Sequence, residues 1–138
     1  MTMSVEDLRL AHGDVSRQII GAFYDVYNDV GYGFPEALYG EAMAFALHDR
    51  GMCFDRERPL VVRYKGRVVG DFRADFVVDG KIIVELKAVD FIVAAHESQV
   101  LNYLRASTLS VGLVVNFGAK AGVRRVIWTG RRLVSEVP

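Results

Sequence analysis

The stretch RADFVVDGKIIVELK, from Arg73 to Lys87, decides the fold. Two apolar runs flank Asp79-Gly80, a dipeptide typical of the turn of a β-hairpin. A loop of three residues, Asp79 to Lys81, with a glycine bulge places Val78 opposite Ile82 and leaves one face of the hairpin entirely apolar. A slip of one residue would mix apolar and charged side chains on both faces, so we predict the three-residue loop. The predicted apolar face carries Phe76, Val78, Ile82, Val84 and Leu86.

The other face of this hairpin collects charged side chains. In the predicted register Asp75 lies opposite Glu85, and Lys87 shares the face of Glu85 because residues i and i+2 of a strand point the same way. Two opposed carboxylates repel each other, and a divalent cation with oxygen ligands would compensate. The pattern therefore indicates a metal-dependent phosphodiesterase site, with Lys87 orienting or deprotonating the attacking water or stabilising the transition state. A salt-bridged Glu85–Lys87 pair on a half-exposed strand is the structural alternative.

Apolar periodicity extends the prediction to the rest of the chain. Helical spacing covers Val15–Val30, a second helix from Pro35 to about Asp49, and His96–Ser107. Strands are predicted at LVVRY, RVVGDFRADFVV, KIIVELKAV and SVGLVVNF, with short closing strands in VRRVIW and RRLVSEV. We predict one domain over residues 1–138, with 1–14 as a candidate flexible N-terminus. The predicted fold class is α/β (α+β), a mixed central sheet flanked by helices in the order ααβββαββ.

RADFVVDGKIIVELK also resembles the core of the PD-(D/E)XK nuclease superfamily, which has an acid on one strand and Glu-x-Lys on the next. Nine residues separate Asp75 from Glu85, a usual gap in that superfamily, and Ala74 stands in place of the proline. On the following helix, Gln99 and Tyr103 resemble the Gln-x-x-x-Tyr element of its exonuclease branches. They share a helix face with His96, one turn earlier. The structural alternative is a Gln and a Tyr that merely border a packed helix.

Upstream, GFPEALY supplies Gly33, Glu36 and Tyr39, a pattern that resembles the signature of the GxxExxY family within that superfamily. Similar segments extend the resemblance from about Ile19 to Trp128. The resemblance implies a restriction-endonuclease-like core in which Glu36 joins Asp75 and Glu85 as a third acidic ligand of Mg²⁺ or Mn²⁺. It implies the Leu86 carbonyl as a further metal ligand. Substrate and phosphate positioning would fall to Gln99, Tyr103, His96, Tyr39 and Arg73.

The charge balance limits how nucleic acid could bind. Acidic and basic residues are equal at 17 each, so binding would need a local basic patch. Two groups qualify, although each is also typical of the solvated edge of a sheet. One is YKGR, Tyr64–Arg67, with Arg63 and Arg73. The other contains Arg124, Arg125, Arg131 and Arg132 with Trp128.

Other features narrow the class of protein. The single cysteine, Cys53, excludes an internal disulfide, and no apolar run approaches the ~20 residues of a membrane span. We see no secretory signal and expect a cytoplasmic protein without membrane contact. The spacing of the histidines predicts no zinc site, and no glycine loop predicts a dinucleotide cofactor.

The expected partner is nucleic acid, DNA before RNA, and a homodimer or a partner protein would supply specificity. The closing strands could form such a dimer by edge-to-edge pairing. The competing hypothesis is a catalytically inactive nucleic-acid-binding or protein-interaction module on the same scaffold.

Overall fold

The computed structural model describes residues 4–138, which form four helices and six strands. The helices are α1 (Val5–Ala11), α2 (Gly13–Val30), α3 (Glu36–Asp49) and α4 (Ala94–Ala106). The strands are β1 (Phe54–Tyr64), β2 (Arg67–Val78), β3 (Ile82–Lys87), β4 (Val111–Phe117), β5 (Ala121–Trp128) and β6 (Leu133–Glu136). Within the described residues no helix is long and apolar enough to cross a membrane.

The six strands form one mixed sheet in the order β1-β2-β3-β4-β5-β6. Only β3 and β4 run parallel to each other, and the other neighbours are antiparallel. The helix α4 makes the crossover between β3 and β4, as a parallel connection requires. A mixed sheet flanked by helices confirms the predicted fold class. All six strands overlap the six predicted segments, although the order ααβββαββ counts only five of them, and the structure has one additional helix.

The additional helix, α1, lies in the segment that the sequence suggested as a flexible N-terminus. Its first residue follows a Ser4 cap whose hydroxyl accepts a hydrogen bond from the Asp7 N–H. Leu8 is buried in the core, and Arg9 forms a salt bridge with Glu136 of β6. These contacts tie α1 to the far edge of the sheet. Residues 1–3 of that segment lie outside the described residues.

The two faces of the sheet are covered by different helices. On one face, α2 and α3 contribute Ile19, Phe23, Tyr39 and Met43 to a large apolar cluster that includes the predicted apolar face of the β2–β3 hairpin. On the other face, Val100, Tyr103 and Leu104 of α4 pack against Val77, Ile83 and Val114. The central strands β3 and β4 are therefore buried on both sides, which accounts for their continuous apolar runs.

The register of the β2–β3 hairpin is the predicted one. Val78 pairs with Ile82, and the Lys81 N–H donates to the Val78 carbonyl at 2.9 Å across the turn. Asp79 and Gly80 have φ angles of 52° and 64°, the left-handed conformation that glycine adopts without cost and aspartate tolerates. The extra residue, Lys81, keeps all five predicted apolar side chains on the α2–α3 face.

Strand β2 changes its environment midway along its length. Phe72 and Ala74 pack in the α4 cluster, whereas Phe76 and Val78 pack in the α2–α3 cluster, although all four have even numbers. Regular alternation would keep them on one face, so the backbone must be irregular near Asp75. On β1 the pairing passes from Arg56↔Phe76 to Arg58↔Ala74, and Glu57 between them has φ 50°. Irregularities of this kind re-aim side chains beside functional sites.

Beyond this irregularity β2 separates from β3. The β2–β3 pairing covers only Phe76–Val78, whereas the β1–β2 pairing continues outward to Tyr64↔Arg67. We call the opening between Asp75 and the end of β3 the fork, and residues 58–73 of the β1–β2 hairpin the β-arm.

Candidate active site

The fork is held open by side-chain hydrogen bonds where strand pairing would otherwise continue. The Leu86 N–H donates to Asp75 Oδ2 at 2.7 Å, and the Asp75 N–H donates to Glu85 Oε1 at 3.3 Å. The N–H and C=O of one strand residue point to the same side, so the Leu86 carbonyl also faces the fork. Asp75, Glu85 and Leu86, three of the residues predicted for the site, therefore lie together.

Glu85 is a buried carboxylate without a cation partner. Its side chain is 2% exposed. It takes part in no salt bridge within residues 4–138. Burial, and then the negative charge of Asp75, raises its pKa to about 8. The salt-bridged Glu85–Lys87 pair considered from the sequence is therefore not the arrangement found.

Lys87 extends from the end of β3 to α4. Its Nζ donates a hydrogen bond to Gln99 Oε1 at 2.9 Å. Gln99 sits one helical turn before Tyr103, and the Tyr103 hydroxyl donates to the Arg73 carbonyl on β2. Burial and the nearby Glu85 raise the pKa of Tyr103 to about 12, so this hydroxyl stays protonated as a donor at neutral pH. The Gln-x-x-x-Tyr pair thus positions Lys87 and β2 from the α4 side.

Glu36 approaches the fork from the opposite layer. It begins α3 and lines a cavity of about 300 Å³ together with Asp75 and the side chain of Leu86. Partial desolvation, and then the charge of Asp75, raises the pKa of Glu36, while Lys87 opposes this shift. Such mutual influence indicates that Glu36, Asp75 and Lys87 share one electrostatic environment.

Tyr39, His96 and Arg73, which were predicted to position a phosphate, differ in their surroundings. Tyr39 is fully buried, stacks on Phe117 at 4.1 Å between ring centroids, and donates its hydroxyl hydrogen bond to the Gly31 carbonyl. His96 accepts the Val93 N–H through Nδ1 at 3.1 Å and so caps the start of α4. Arg73 is exposed on β2, two residues before Asp75. Tyr39 is thus buried away from any bound phosphate, whereas phosphate contacts by Arg73 and His96 stay predictions.

Sequence reasoning did not identify Arg56, which forms one wall of the same cavity. The Arg56 guanidinium bonds Glu41 Oε1 at 2.9 Å and lies over the Phe76 ring at 5.4 Å from its centroid. A Cβ at Gly40 would approach this guanidinium to 3.1 Å, so glycine leaves room for it. Arg56 lies in the charged segment FDRER, which carries no apolar alternation to predict a strand.

Asn116 also supports the site and was not predicted. Its amide is buried at the end of β4 and bonds both backbone groups of Val89, at 3.0 Å to the N–H and 2.8 Å to the carbonyl. These bonds hold the segment that follows Lys87. The side-chain amide of an asparagine mimics a strand neighbour and can satisfy both groups at once.

Two of the four arginines in the second basic group, Arg124 and Arg125, form salt bridges. Arg125 pairs with Glu136 at 3.1 Å, and Arg124 lies 3.8 Å from Glu97. Arg131 and Arg132 are exposed in the β5–β6 turn. This turn and the β2–β3 turn lie at the end of the sheet opposite the β-arm, because β2 and β5 run in the same direction.

The donor set of the fork fits a divalent cation. Within residues 4–138 no group of three or more His, Cys, Asp or Glu side chains is gathered closely enough to form a ready-made metal site. The raised pKa values of Glu85 and Glu36 reflect first their burial and then the negative charge of Asp75, which Lys87 offsets only in part. Carboxylate and carbonyl oxygens are the ligands that Mg²⁺ and Mn²⁺ prefer. Glu36, Asp75, Glu85 and the Leu86 carbonyl are therefore a chemically suitable ligand set.

Comparison with known proteins agrees with this geometry. The family model of the PD-(D/E)XK nuclease superfamily matches residues 13–126. The searches found no significant match among curated proteins or among solved structures. The matched range contains α2 to β4 and most of β5, and so includes every residue of the fork. The chain therefore belongs to the PD-(D/E)XK nuclease superfamily.

Proposed function

We propose that this protein is a metal-dependent nuclease that hydrolyses phosphodiester bonds in DNA. The observation that carries the proposal is the fork itself, where a buried carboxylate, a second carboxylate and a backbone carbonyl converge beside a lysine. Glu36, Asp75, Glu85 and the Leu86 carbonyl would hold Mg²⁺ or Mn²⁺. When bound, the cation would activate water and neutralise charge that develops on the phosphodiester.

The residues of the chain supply orientation and proton handling. Gln99 Oε1 accepts from Lys87 Nζ, which leaves the other hydrogens of the ammonium free to bond an attacking water or a phosphate oxygen. The Asp75 carboxylate is oriented by the Leu86 N–H. Glu85 is kept in place by the Asp75 N–H and by burial. Arg73 and Arg56 would contact phosphate groups on either side of the fork.

We also propose the GxxExxY family as the branch of the superfamily to which the chain belongs. The proposal rests on Gly33, Glu36 and Tyr39, which have distinct roles around one turn. Gly33 has φ 102°, a conformation that favours glycine. The Tyr39 hydroxyl donates to the Gly31 carbonyl and accepts the Phe34 N–H, so it braces the turn that delivers Glu36. In this proposal Tyr39 supports the metal ligand Glu36 and does not touch substrate.

The proposal is tested by incubating the protein with single- and double-stranded DNA and RNA in the presence of Mg²⁺ or Mn²⁺. We expect cleavage of DNA that disappears with EDTA and falls at least about 10²-fold in Asp75→Asn. Asp71→Asn is the matched control, because Asp71 is an exposed acid on the same strand. Cleavage that survives Asp75→Asn contradicts the assignment. Nucleic-acid binding without cleavage of any substrate would favour the inactive module.

A further inference from the structure

The β-arm extends beyond the rest of the sheet. From Arg58↔Ala74 outward to Tyr64↔Arg67 it consists of two strands paired only with each other. Six residue steps along β1 separate these two pairs, which corresponds to about 20 Å of extended ribbon. Every residue from Arg63 to Asp71 is exposed. The outer part of this ribbon thus has no packing partner within the described residues.

The β-arm is also where the positive charge of a neutral chain is concentrated. Residues 58–73 contain five of the 17 basic residues and one of the 17 acidic residues. Within residues 4–138, Arg63, Lys65, Arg67 and Arg73 take part in no salt bridge. In contrast, six arginines outside the arm are paired with carboxylates, namely Arg9, Arg17, Arg50, Arg56, Arg124 and Arg125. Among residues 4–138, six of the 12 basic residues outside the arm are therefore paired, whereas inside it only Arg58 of the five is, so unpaired cations are more concentrated in the arm.

The arm begins at the fork. Arg73, its last residue, lies two positions before Asp75, and the Arg73 carbonyl accepts the hydrogen bond of Tyr103. The β1–β2 turn lies at the end of the sheet where β3 finishes at Lys87, because β2 runs antiparallel to β3. A polyanion that follows the arm from its tip to its base would therefore arrive beside Lys87 and Asp75.

We propose that the β-arm grips the backbone of double-stranded DNA and directs it into the fork. The major groove of B-DNA is about 12 Å wide and admits a two-stranded ribbon, whereas the deep, narrow major groove of duplex RNA does not. The arm places Arg63, Lys65 and Arg67 around its tip, where they would contact phosphates without reading bases. The arm would serve as the duplex-binding element beside the fork. This inference rests on the proposed nuclease function.

The test compares two triple variants with the same loss of charge. Arg63→Gln, Lys65→Gln and Arg67→Gln neutralise the tip of the arm. Lys81→Gln, Arg131→Gln and Arg132→Gln neutralise three exposed residues at the opposite end of the sheet. Both are made in an Asp75→Asn background, and binding to a short DNA duplex is measured in EDTA by fluorescence anisotropy over a range of salt concentrations. Thermal unfolding checks that both variants fold.

We expect the arm variant to bind at least about tenfold more weakly at low salt. The slope of log K against log salt should fall in magnitude by about 2 to 3, because each lost phosphate contact removes about 0.9 from it. The control variant should stay within about twofold of its parent and keep its slope, since distant exposed charges are screened. Equal losses in both variants would overturn the proposal.

Two further outcomes would overturn it for a different reason. A parent protein that binds duplex RNA as tightly as duplex DNA would contradict the choice of groove. Sedimentation that reveals a dimer in the parent and a monomer in the arm variant would make the arm a contact between copies of the chain. Failure of the nuclease proposal is separable, because cleavage is assayed with metal and the intact site, whereas arm-dependent binding is measured in EDTA.

Discussion

The β2–β3 hairpin has two halves that differ in the partners of their backbone groups. In the closed half, from Phe76 to Val84, the strands pair in register and bury apolar side chains on both faces. The open half consists of Asp75 on β2 and Glu85 to Lys87 on β3. There, backbone N–H groups donate to carboxylate oxygens of the site. The closed half therefore determines stability and register, whereas the open half presents charged groups in fixed positions.

This difference shows how a buried carboxylate can lie beside a second, half-buried one. Glu85 is as inaccessible as its apolar neighbours, yet it is retained in a position where burial and Asp75 both disfavour its charged form. Unfavourable electrostatics of this kind commonly mark functional sites. The paired strands next to Glu85 hold it in place despite this unfavourable interaction. Substitutions in the open half should therefore lower activity, and substitutions in the closed half should lower stability.

The largest expected effect is on activity in the open half. Lys87→Met keeps the apolar stem of the side chain and removes its ammonium group, which we propose serves the attacking water. We expect the rate of DNA cleavage to fall by about 10²- to 10⁴-fold, while the free energy of unfolding changes by less than about 1 kcal/mol. The matched control is Lys81→Met in the turn at the other end of β3, which should cleave normally. Similar activity in the two variants would remove Lys87 from the mechanism.

In the closed half the expected signature is reversed. Ile82→Ala removes a fully buried side chain from the pair that sets the register. We expect the free energy of unfolding to fall by about 2–5 kcal/mol, measured by urea denaturation, with cleavage per folded molecule unchanged. The control Val69→Ala, at an exposed position of the β-arm, should change stability by no more than about 0.5 kcal/mol. A folded Ile82→Ala protein with impaired cleavage would show that the two halves are not independent.

A smaller effect is expected on how stability depends on pH, through the carboxyl group of Glu85. The pKa of Glu85 is raised from its ordinary value of 4.5 to about 8 in the folded protein. Between pH 4.5 and pH 8 the folded state therefore holds a proton that the unfolded state has lost. Stability in EDTA should therefore fall as pH rises through this window. Glu85→Gln should remove most of the fall, leaving the part due to Glu36, and at pH 8 should raise the free energy of unfolding by about 1–3 kcal/mol, because the Glu85 charge is no longer buried. Denaturation at pH 5 and pH 8 checks both statements.

Two controls sharpen this measurement. Mn²⁺ should stabilise the wild-type protein at pH 8 and have little effect on Glu85→Gln, because binding to the folded state alone raises stability. The pH dependence of stability that Glu136 contributes has the opposite sign, since Arg9 and Arg125 lower the pKa of its carboxyl. Its contribution should be present at neutral pH and disappear as pH falls through the folded pKa. A flat stability profile of the wild type from pH 5 to pH 8 would contradict the burial of an unbalanced Glu85 charge.

Much of the closed half could be predicted because a strand has a strict period of two residues. The positions of Phe76, Val78 and Ile82 exclude every register but one, and that register is the one found. The start of β1 could not be predicted in this way. Its first residues after Phe54 are charged and exposed, so they belong to an edge strand without an apolar face. The helix α1 is short and was missed because Leu8 is the one buried side chain among its residues 5–10.

The open half was predictable only in part. Alternation alone suggested that Asp75 and Glu85 lie near each other, and the hydrogen bond between them agrees. The opening of the fork lies beside Glu57, whose left-handed conformation no local pattern indicates. The hydrogen-bond partners of Tyr39 and Tyr103 could not be predicted from the sequence for another reason. Both hydroxyls donate to backbone carbonyls, and any residue type supplies a carbonyl.

The smallest effect tests whether α4 stabilises the fork or only packs beneath it. Tyr103→Phe keeps the ring, which packs edge-on against Phe72 at 5.3 Å between centroids, and removes the hydroxyl that bonds the Arg73 carbonyl. We expect a loss of about 1 kcal/mol in the free energy of unfolding and a several-fold loss of cleavage, because Arg73 and Asp75 lie on the backbone that this bond steadies. Tyr27→Phe removes a comparable bond to the Gly118 carbonyl, at 2.7 Å, which involves none of the proposed metal ligands. It should cost similar stability without loss of cleavage. If both variants cleave equally well, Tyr103 stabilises the fold alone, and the open half owes its geometry to Asp75, Glu85 and Gln99.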